Sequence, residues 1–478
     1  MNFRNPNTIK PVCLVIVALL LSGCQSIWPD YFRPKVDVPA QYAEAGQPGQ
    51  EGLSVTDNWW MLYQDKTLNG LMEKALQNNK DIKLAVARIE ETDAVMREVG
   101  AFLLPQIDLD AGAKRSRVTE AGANQQLFSN PRNNFNVQLG TTFELDFWGK
   151  LRRAKEAARA QALASRYAKD TVALTLTGLV ATNYLNLRSL EAQIAVSGDN
   201  LKSREASLAL TKRRLEGGVA SALDVHQAEV ARANLSAQLA ELNRLKSLTL
   251  HQLSVLTGDL NLAVTGLGIA ADISSLPIPP TPPAGLPSSL LESRPDVKQA
   301  EELMVAANAN IGVAKAALYP NISLTAGLGG ESMELGDILK SAARIWTGGL
   351  NLHLPIFDSG KINAKVDQAS AKQKQALASY EGAVQNAFRE VNDALVNLRQ
   401  HTEREAALRQ SQEAAKKALE ISENRYKSGY TAYLEVLDAQ RVHNDSGLAY
   451  IQSRQARLVA TVDLFKALGG GWSDFSGR

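Results

Sequence analysis

The chain of 478 residues has only two cysteines, Cys13 and Cys24, so neither a disulfide scaffold nor a multi-cysteine zinc site can be built from it. Five histidines (His226, His251, His353, His401 and His443) and six methionines are scattered without ligand spacing, which leaves little material for a soft-metal centre. An excess of one charge is also missing. With 52 Lys+Arg against 50 Asp+Glu, no net field draws nucleic acid. Catalytic motifs are absent too: Gly149-Lys150 and Gly360-Lys361 lack the flanking glycine and Ser/Thr of a phosphate loop, and neither HExxH nor GxSxG occurs. The expectation is a protein that is not an enzyme and holds no cofactor and no metal.

What is present begins with processing signals. Arg4 and Lys10 precede an apolar run from Val12 to Leu21, which ends in Leu21-Ser22-Gly23-Cys24. Small residues before a cysteine mark a lipoprotein cleavage site, so residues 1–23 are expected to be a signal peptide and Cys24 the acylated first residue. Removing Arg4 and Lys10 leaves 50 basic against 50 acidic residues. A multi-chain lipid anchor holds a protein on a membrane permanently. Gln25 stands where lipoprotein retention at the inner membrane commonly uses Asp, which favours the outer membrane.

The chain is a duplication. Arg214, Gly218, Leu223, Val225 and Ala228 recur 211 positions on as Arg425, Gly429, Leu434, Val436 and Ala439, and Leu253 and Gly258 recur as Leu464 and Gly469. Nearer each start the offset is 215, pairing Asp81, Pro105 and Ile107 with Asp296, Pro320 and Ile322. The expected layout is an acylated tail over 24–58, a first repeat over 59–270, a Pro-rich connector over 271–288, a second repeat over 289–470 and a tail over 471–478.

Each repeat predicts helix, strand, strand, long helix, turn, helix. Between Asn134 and Phe147, Phe135, Val137, Leu139, Phe143 and Leu145 alternate with Asn136, Gln138, Glu144 and Asp146, the pattern of a strand with one apolar and one wet face. Trp346, Leu350, Leu352 and Leu354 repeat it, and shorter versions follow Pro105 and Pro320, where strands are expected to begin. Four strands per chain cannot close a membrane barrel, and a bilayer forbids open sheet edges. Closure therefore requires copies: a trimer with twelve strands is the first choice, a dimer with eight the second.

Proline is missing from Leu151 to Glu216 and from Lys361 to Ser428, and each stretch ends at glycine, Gly217-Gly218 or Gly429. A helix of about 66 residues would reach about 100 Å, some three membrane thicknesses. Small residues such as Ala154, Ala158, Ala162 and Ala369 suit close-packed helical walls. Just past the second turn, Glu435 and Asp438 share a helix face at i, i+3. In a threefold tube with that face inward, their carboxylates would crowd one ring and repel.

With these residues in place, the chain resembles the TolC-type outer-membrane efflux channels, in their OprM-like lipoprotein branch. The resemblance covers the whole mature chain and rests on Cys24, Pro29-Asp30-Tyr31, Trp59-Trp60, Asp65, Leu104-Pro105, Tyr319-Pro320 and Leu437-Asp438-Ala439-Gln440-Arg441 together with the duplication. It implies an α+β membrane protein: a homotrimer with a twelve-stranded outer-membrane β-barrel continuous with a long periplasmic α-helical barrel. It implies passive efflux of small toxic compounds, with a periplasmic membrane-fusion adaptor and an inner-membrane RND-type pump as partners. It also implies a gate at Glu435 and Asp438, with Tyr426 tied to Asp224 and Arg441 to Asp438. Thr431 stands where some members carry a latch arginine. Two other readings compete, a periplasmic coiled-coil scaffold lipoprotein and the same duct dedicated to metal export or protein secretion.

Overall fold

A computed structural model describes residues 31–39, 42, 58–117, 119, 131–267, 272–281 and 290–470. The signal peptide, Cys24, part of the Pro-rich connector and the C-terminal tail lie outside the described residues.

The first half runs through α1 (Lys66–Asn78), α2 (Lys80–Ala101), β1 (Gln106–Ser116), β2 (Arg132–Glu144), α3 (Lys150–Glu216) and α4 (Ala222–Thr257). The second runs through α5 (Pro295–Ala316), β3 (Asn321–Ser332), β4 (Arg344–His353), α6 (Lys361–Lys427) and α7 (Tyr433–Ala467). Lengths match as well as order: α3 and α6 have 67 residues each, and α4 and α7 have 36 and 35. The single helix expected to enter the first half is two helices, because Asn79 leaves the helical region at φ −57 and ψ 137. Its side-chain oxygen accepts from the Asp81 and Ile82 N–H groups at 2.8 and 3.3 Å, which caps α2, while its amide donates to the Leu256 carbonyl at 3.0 Å. The entering helix of the second half is also broken: Leu290–Ser293 makes one helical turn, and α5 begins at Pro295, whose fixed φ and missing N–H suit a first helical position.

The chain divides into two compact units, each drawing on both halves of the sequence. Of the described residues, the first comprises those within 31–35, 88–165 and 300–380 and contains the sheet. The two expected hairpins are joined here by a β2–β3 ladder into one antiparallel sheet in the order β1-β2-β3-β4. Opposed residues in antiparallel strands share a face. Leu109, Leu139, Leu328 and Trp346 therefore form one apolar row across all four strands, exposed at 66%, 50%, 63% and 80%. Asp110 and Gln138, opposed to each other, lie on the other face. Pro105 and Pro320 each stand one residue before a strand. Trp148 holds the second of these positions, donating to the Pro320 carbonyl at 2.7 Å and stacking on Tyr319 at 4.9 Å. The N-terminal segment is fastened by Arg33, whose guanidinium forks onto Glu301 at 2.6 and 2.7 Å.

Of the described residues, the second unit comprises those within 36–87, 166–299 and 381–470. Its core gathers Trp59, Tyr63, Leu68 and Met72 with Val180 and Tyr184 of α3, Leu253 of α4 and Leu458, Val462 and Phe465 of α7. Trp59 stacks on Phe465 at 5.4 Å, so the N-terminal aromatic segment seals helices of both repeats. The Tyr63 hydroxyl is satisfied by the Leu458 carbonyl at 3.1 Å and Thr461. Burial each time removes about 1.5–3 kcal/mol of apolar side chain from water. Asp65 caps α1 through the Thr67 and Leu68 N–H groups at 2.8 and 3.2 Å, accepts the Tyr184 hydroxyl at 2.5 Å and lies 3.7 Å from the buried Arg188. Burial, reinforced by Asp65, pushes the Tyr184 phenol up and keeps it neutral. Asp65→Ala is expected to cost about 3–5 kcal/mol, because a cap is lost and a buried guanidinium loses its carboxylate. Urea unfolding followed by helical circular dichroism measures this.

Among the described residues, no helix is long and apolar enough to cross a membrane.

Candidate functional site at the helical turns

The turns joining α3 to α4 and α6 to α7 have the same backbone solution. Gly218 and Gly429 adopt φ +74 and +81, the left-handed conformation that a helix terminus needs and that glycine takes without a Cβ penalty. Each turn is closed by two backbone bonds: Gly218 to the Leu215 carbonyl and Val219 to that of Arg214, at 2.9 and 2.8 Å, and Gly429 to Tyr426 and Tyr430 to Arg425, at 3.0 and 2.9 Å. Gly217 continues the helical pattern, donating to Arg213 at 3.0 Å.

The helix starts after these turns differ. Ser221 caps α4 through a reciprocal box: its hydroxyl accepts the Asp224 N–H at 3.3 Å, and the Asp224 carboxylate accepts the Ser221 N–H at 3.0 Å. The residues 211 positions on are Ala432 and Glu435, so α7 has no side-chain cap. Glu435 is thereby released to other partners. It accepts the Thr431 hydroxyl and lies 3.7 Å from Arg425. Ala432→Ser is expected to close the second box, gain about 0.5–2 kcal/mol at this helix start and draw Glu435 from Arg425. Amide exchange at the first turn of α7 should slow about fivefold.

Arg441 and Asp438 are brought together at 2.7 Å, and Arg441 also reaches Asp445 at 3.5 Å. Both members of the first pair are more than half exposed, at 61% and 63%, so solvent screens the bond and it is easily exchanged. Tyr426 and Asp224 are not brought together within the chain. Asp224 is committed to Ser221, whereas the Tyr426 ring carries the Arg214 guanidinium at 4.4 Å and meets Tyr433 at 5.4 Å. The physical reason is local: a carboxylate at the third position of a helix with serine at its cap finds backbone N–H nearer than any distant phenol. Tyr433, Val436 and Ala228 form a small buried cluster against which Tyr426, Leu208 and Leu437 pack. Burial pushes the Tyr433 phenol up, opposed by a hydrogen bond with Thr211.

Arg214, Arg425 and Tyr433 belong to this site and were not singled out by chemistry in the sequence. Arg214 and Arg425 were visible only as members of the repeat; their different partners, an aromatic face and a carboxylate, depend on the two unlike helix caps. Beside the cluster, Leu223, Val230, Leu434, Leu437, Asp438 and Arg441 line an amphipathic groove of about 670 Å³ between α4 and α7. Among the described residues, no three His, Cys, Asp or Glu side chains are grouped to hold a metal.

The arrangement, an exposed-apolar sheet in one unit and charged helical turns in the other, has known counterparts. The model of the family described as outer membrane efflux protein matches residues 71–259 and 286–470. The chain is 34% identical over 476 residues to the probable efflux pump outer membrane protein TtgC of Pseudomonas putida, covering 97% of this chain and 96% of that one. It is 33% identical over 480 residues to the cation efflux system protein CusC of Escherichia coli, covering 98% and 99%. Among solved structures, a membrane protein from Pseudomonas aeruginosa superposes with a TM-score of 0.85 at 33% identity over 95% of this chain and 99% of that chain. The Campylobacter jejuni outer membrane channel CmeC superposes with a TM-score of 0.87 at 26% identity over 94% and 96%. Family model, relatives and fold agree that this chain is a member of the outer membrane efflux protein family, an efflux channel of the outer membrane that extends into the periplasm.

Proposed function

We propose that three copies of the chain close a twelve-stranded barrel and a helical tunnel, and that this duct passively conducts small toxic organic compounds delivered by an RND-type pump through a membrane-fusion adaptor. The supporting observation is the sheet. It is a four-stranded meander whose β1 and β4 have, among the described residues, no partner on their outer edges, and it carries an apolar row that is exposed in the single chain. Lipid tolerates the row but not the edges, and neighbouring copies remove the edges. Cys24 anchors the tail in the same membrane, and the division into repeats at 59–270 and 289–470 follows the duplication.

The gate is at the turns. Opening exchanges the Asp438–Arg441 and Glu435–Arg425 pairs and parts Tyr426 from Arg214, all exposed or half-exposed contacts that cost little to break. Relatives of nearly equal identity are named for toluene and for cations, which leaves metal export as the second reading. The scarcity of His and Met supports organic cargo. Expression in a strain deprived of its own efflux ducts, with one RND-type pump and adaptor, is expected to restore resistance to toluene and antibiotics and not to copper or silver. Restored metal resistance alone would favour the second reading.

A further inference from the structure

Two tetrads of poor helix formers interrupt otherwise strong helices. Ser197-Gly198-Asp199-Asn200 lies inside α3, and Asn444-Asp445-Ser446-Gly447 lies inside α7; both stretches remain helical. They contain the same four residue types, in the orders Ser-Gly-Asp-Asn and Asn-Asp-Ser-Gly. The helices set them side by side: Asn200 donates to the Asn444 side-chain oxygen at 2.9 Å, and a Cβ on Gly447 would stand 3.7 Å from a Val196 methyl. Glycine, serine, asparagine and aspartate are among the weakest helix formers short of proline, the last three because their side chains compete for nearby backbone groups. An uncharged polar pair at a helix seam fixes register at a cost in stability.

The packing changes character at the same level. Toward Phe465, α3 and α7 grip each other through Val180, Tyr184, Leu458 and Val462 of the apolar core. Between Gln193 and Ser207 the seam carries neutral polar pairs, before the small apolar cluster of Tyr433 and Val436 with Leu208: Gln452 donates to Gln193 at 3.1 Å, and Gln440 to Ser207 at 3.3 Å. This network is incompletely satisfied, since the Ser197 and Ser453 hydroxyls and the Gln440 oxygen are buried without a partner. A partly satisfied polar seam holds two helices weakly, whereas the apolar core above it does not let go.

We propose that the two tetrads are a paired hinge, at which the turn-side parts of α3 and α7 bend away from each other when the duct opens. This rests on the gated-duct reading and adds to it the place where the helices yield. Alanine fits at both hinge glycines, because a Cβ on Gly198 meets nothing within 4 Å and one on Gly447 makes an ordinary contact. Gly198→Ala with Gly447→Ala therefore stiffens both helices without a clash. Gly382→Ala in α6, which also meets open space, is the control.

The test uses the full-length acylated assembly, with hydrogen exchange and planar-bilayer recording on each variant. Wild-type amides in both tetrads are expected to exchange about tenfold faster than those one turn to either side, and the double alanine variant to remove that contrast and lower open probability about tenfold. Gly382→Ala should leave both readouts unchanged. Exchange in the tetrads no faster than in flanking turns overturns the hinge, as does wild-type opening in the double variant or an equal loss in the control. A wild-type assembly that shows fast tetrad exchange but never conducts overturns the duct reading instead, and with it the hinge's part in opening.

Discussion

Tyr426→Ala is expected to raise the open probability of the reconstituted channel about tenfold, while Tyr426→Phe stays near wild type. The ring is what holds the turn: it carries the Arg214 guanidinium at 4.4 Å and packs beside Tyr433 at 5.4 Å. An exposed cation–π contact is worth about 0.5–1 kcal/mol and an aromatic pair about 0.5–1.5 kcal/mol. Together they approach the 1.4 kcal/mol or so that corresponds to a tenfold change in an equilibrium. Phenylalanine keeps both contacts. Were the Tyr426 hydroxyl the tie, as expected from the resemblance with Asp224 as its partner, phenylalanine and alanine would open the channel alike. Single-channel recording of the two variants separates these cases. Combining Tyr426→Ala with Asp438→Ala should add to the effect, since the Arg441 pair lies on α7 and shares no partner with Tyr426.

Gly469→Ala should abolish the folded assembly, and Gly429→Ala should not, although the two glycines have similar positions at the ends of the helices α7 and α6. Both have positive φ, +90 and +81, so each alanine incurs the left-handed penalty of about 1–2 kcal/mol. Their surroundings decide the rest. A Cβ on Gly429 meets nothing within 4 Å, whereas one on Gly469 would collide with the Ser293 carbonyl oxygen. That backbone cannot retreat freely, because the next residue, Arg294, is buried and tied to Asp296 at 2.7 Å, Glu390 at 2.8 Å and the Ala467 carbonyl at 3.1 Å. Displacing it is expected to cost more than about 3 kcal/mol in total. Expression level and thermal unfolding of the two variants check this: Gly429→Ala should lose a few degrees, Gly469→Ala its cooperative transition.

The elements were legible wherever one physical period ran unbroken. The alternation around Phe135 to Phe143, its echo at Trp346 to Leu352 and the shorter versions after Pro105 and Pro320 placed four strands, and the proline-free stretches ending at Gly218 and Gly429 placed the long helices within a residue or two. What was not legible depended on competition between near neighbours. Asn79 reads as one more polar residue in a helix, yet its side chain caps the following helix and breaks the run. The pairing of β2 with β3 joins hairpins some 180 residues apart, and no local pattern encodes which edges meet. At the turns, Glu435 and Asp438 stand out by spacing and Arg441 through the resemblance, but the partner of Asp224 does not, because a serine three residues earlier claims it. The same +211 relation that revealed the duplication also shows what diverged: serine became Ala432, and the released Glu435 turned to Arg425.

The central claim is that the sheet of one chain is a third of a closed barrel. Native mass spectrometry of the detergent-purified, acylated protein tests it most directly. The account predicts a single species with three times the mass of the processed chain. A species of one chain, its β1 and β4 edges left open, would contradict it.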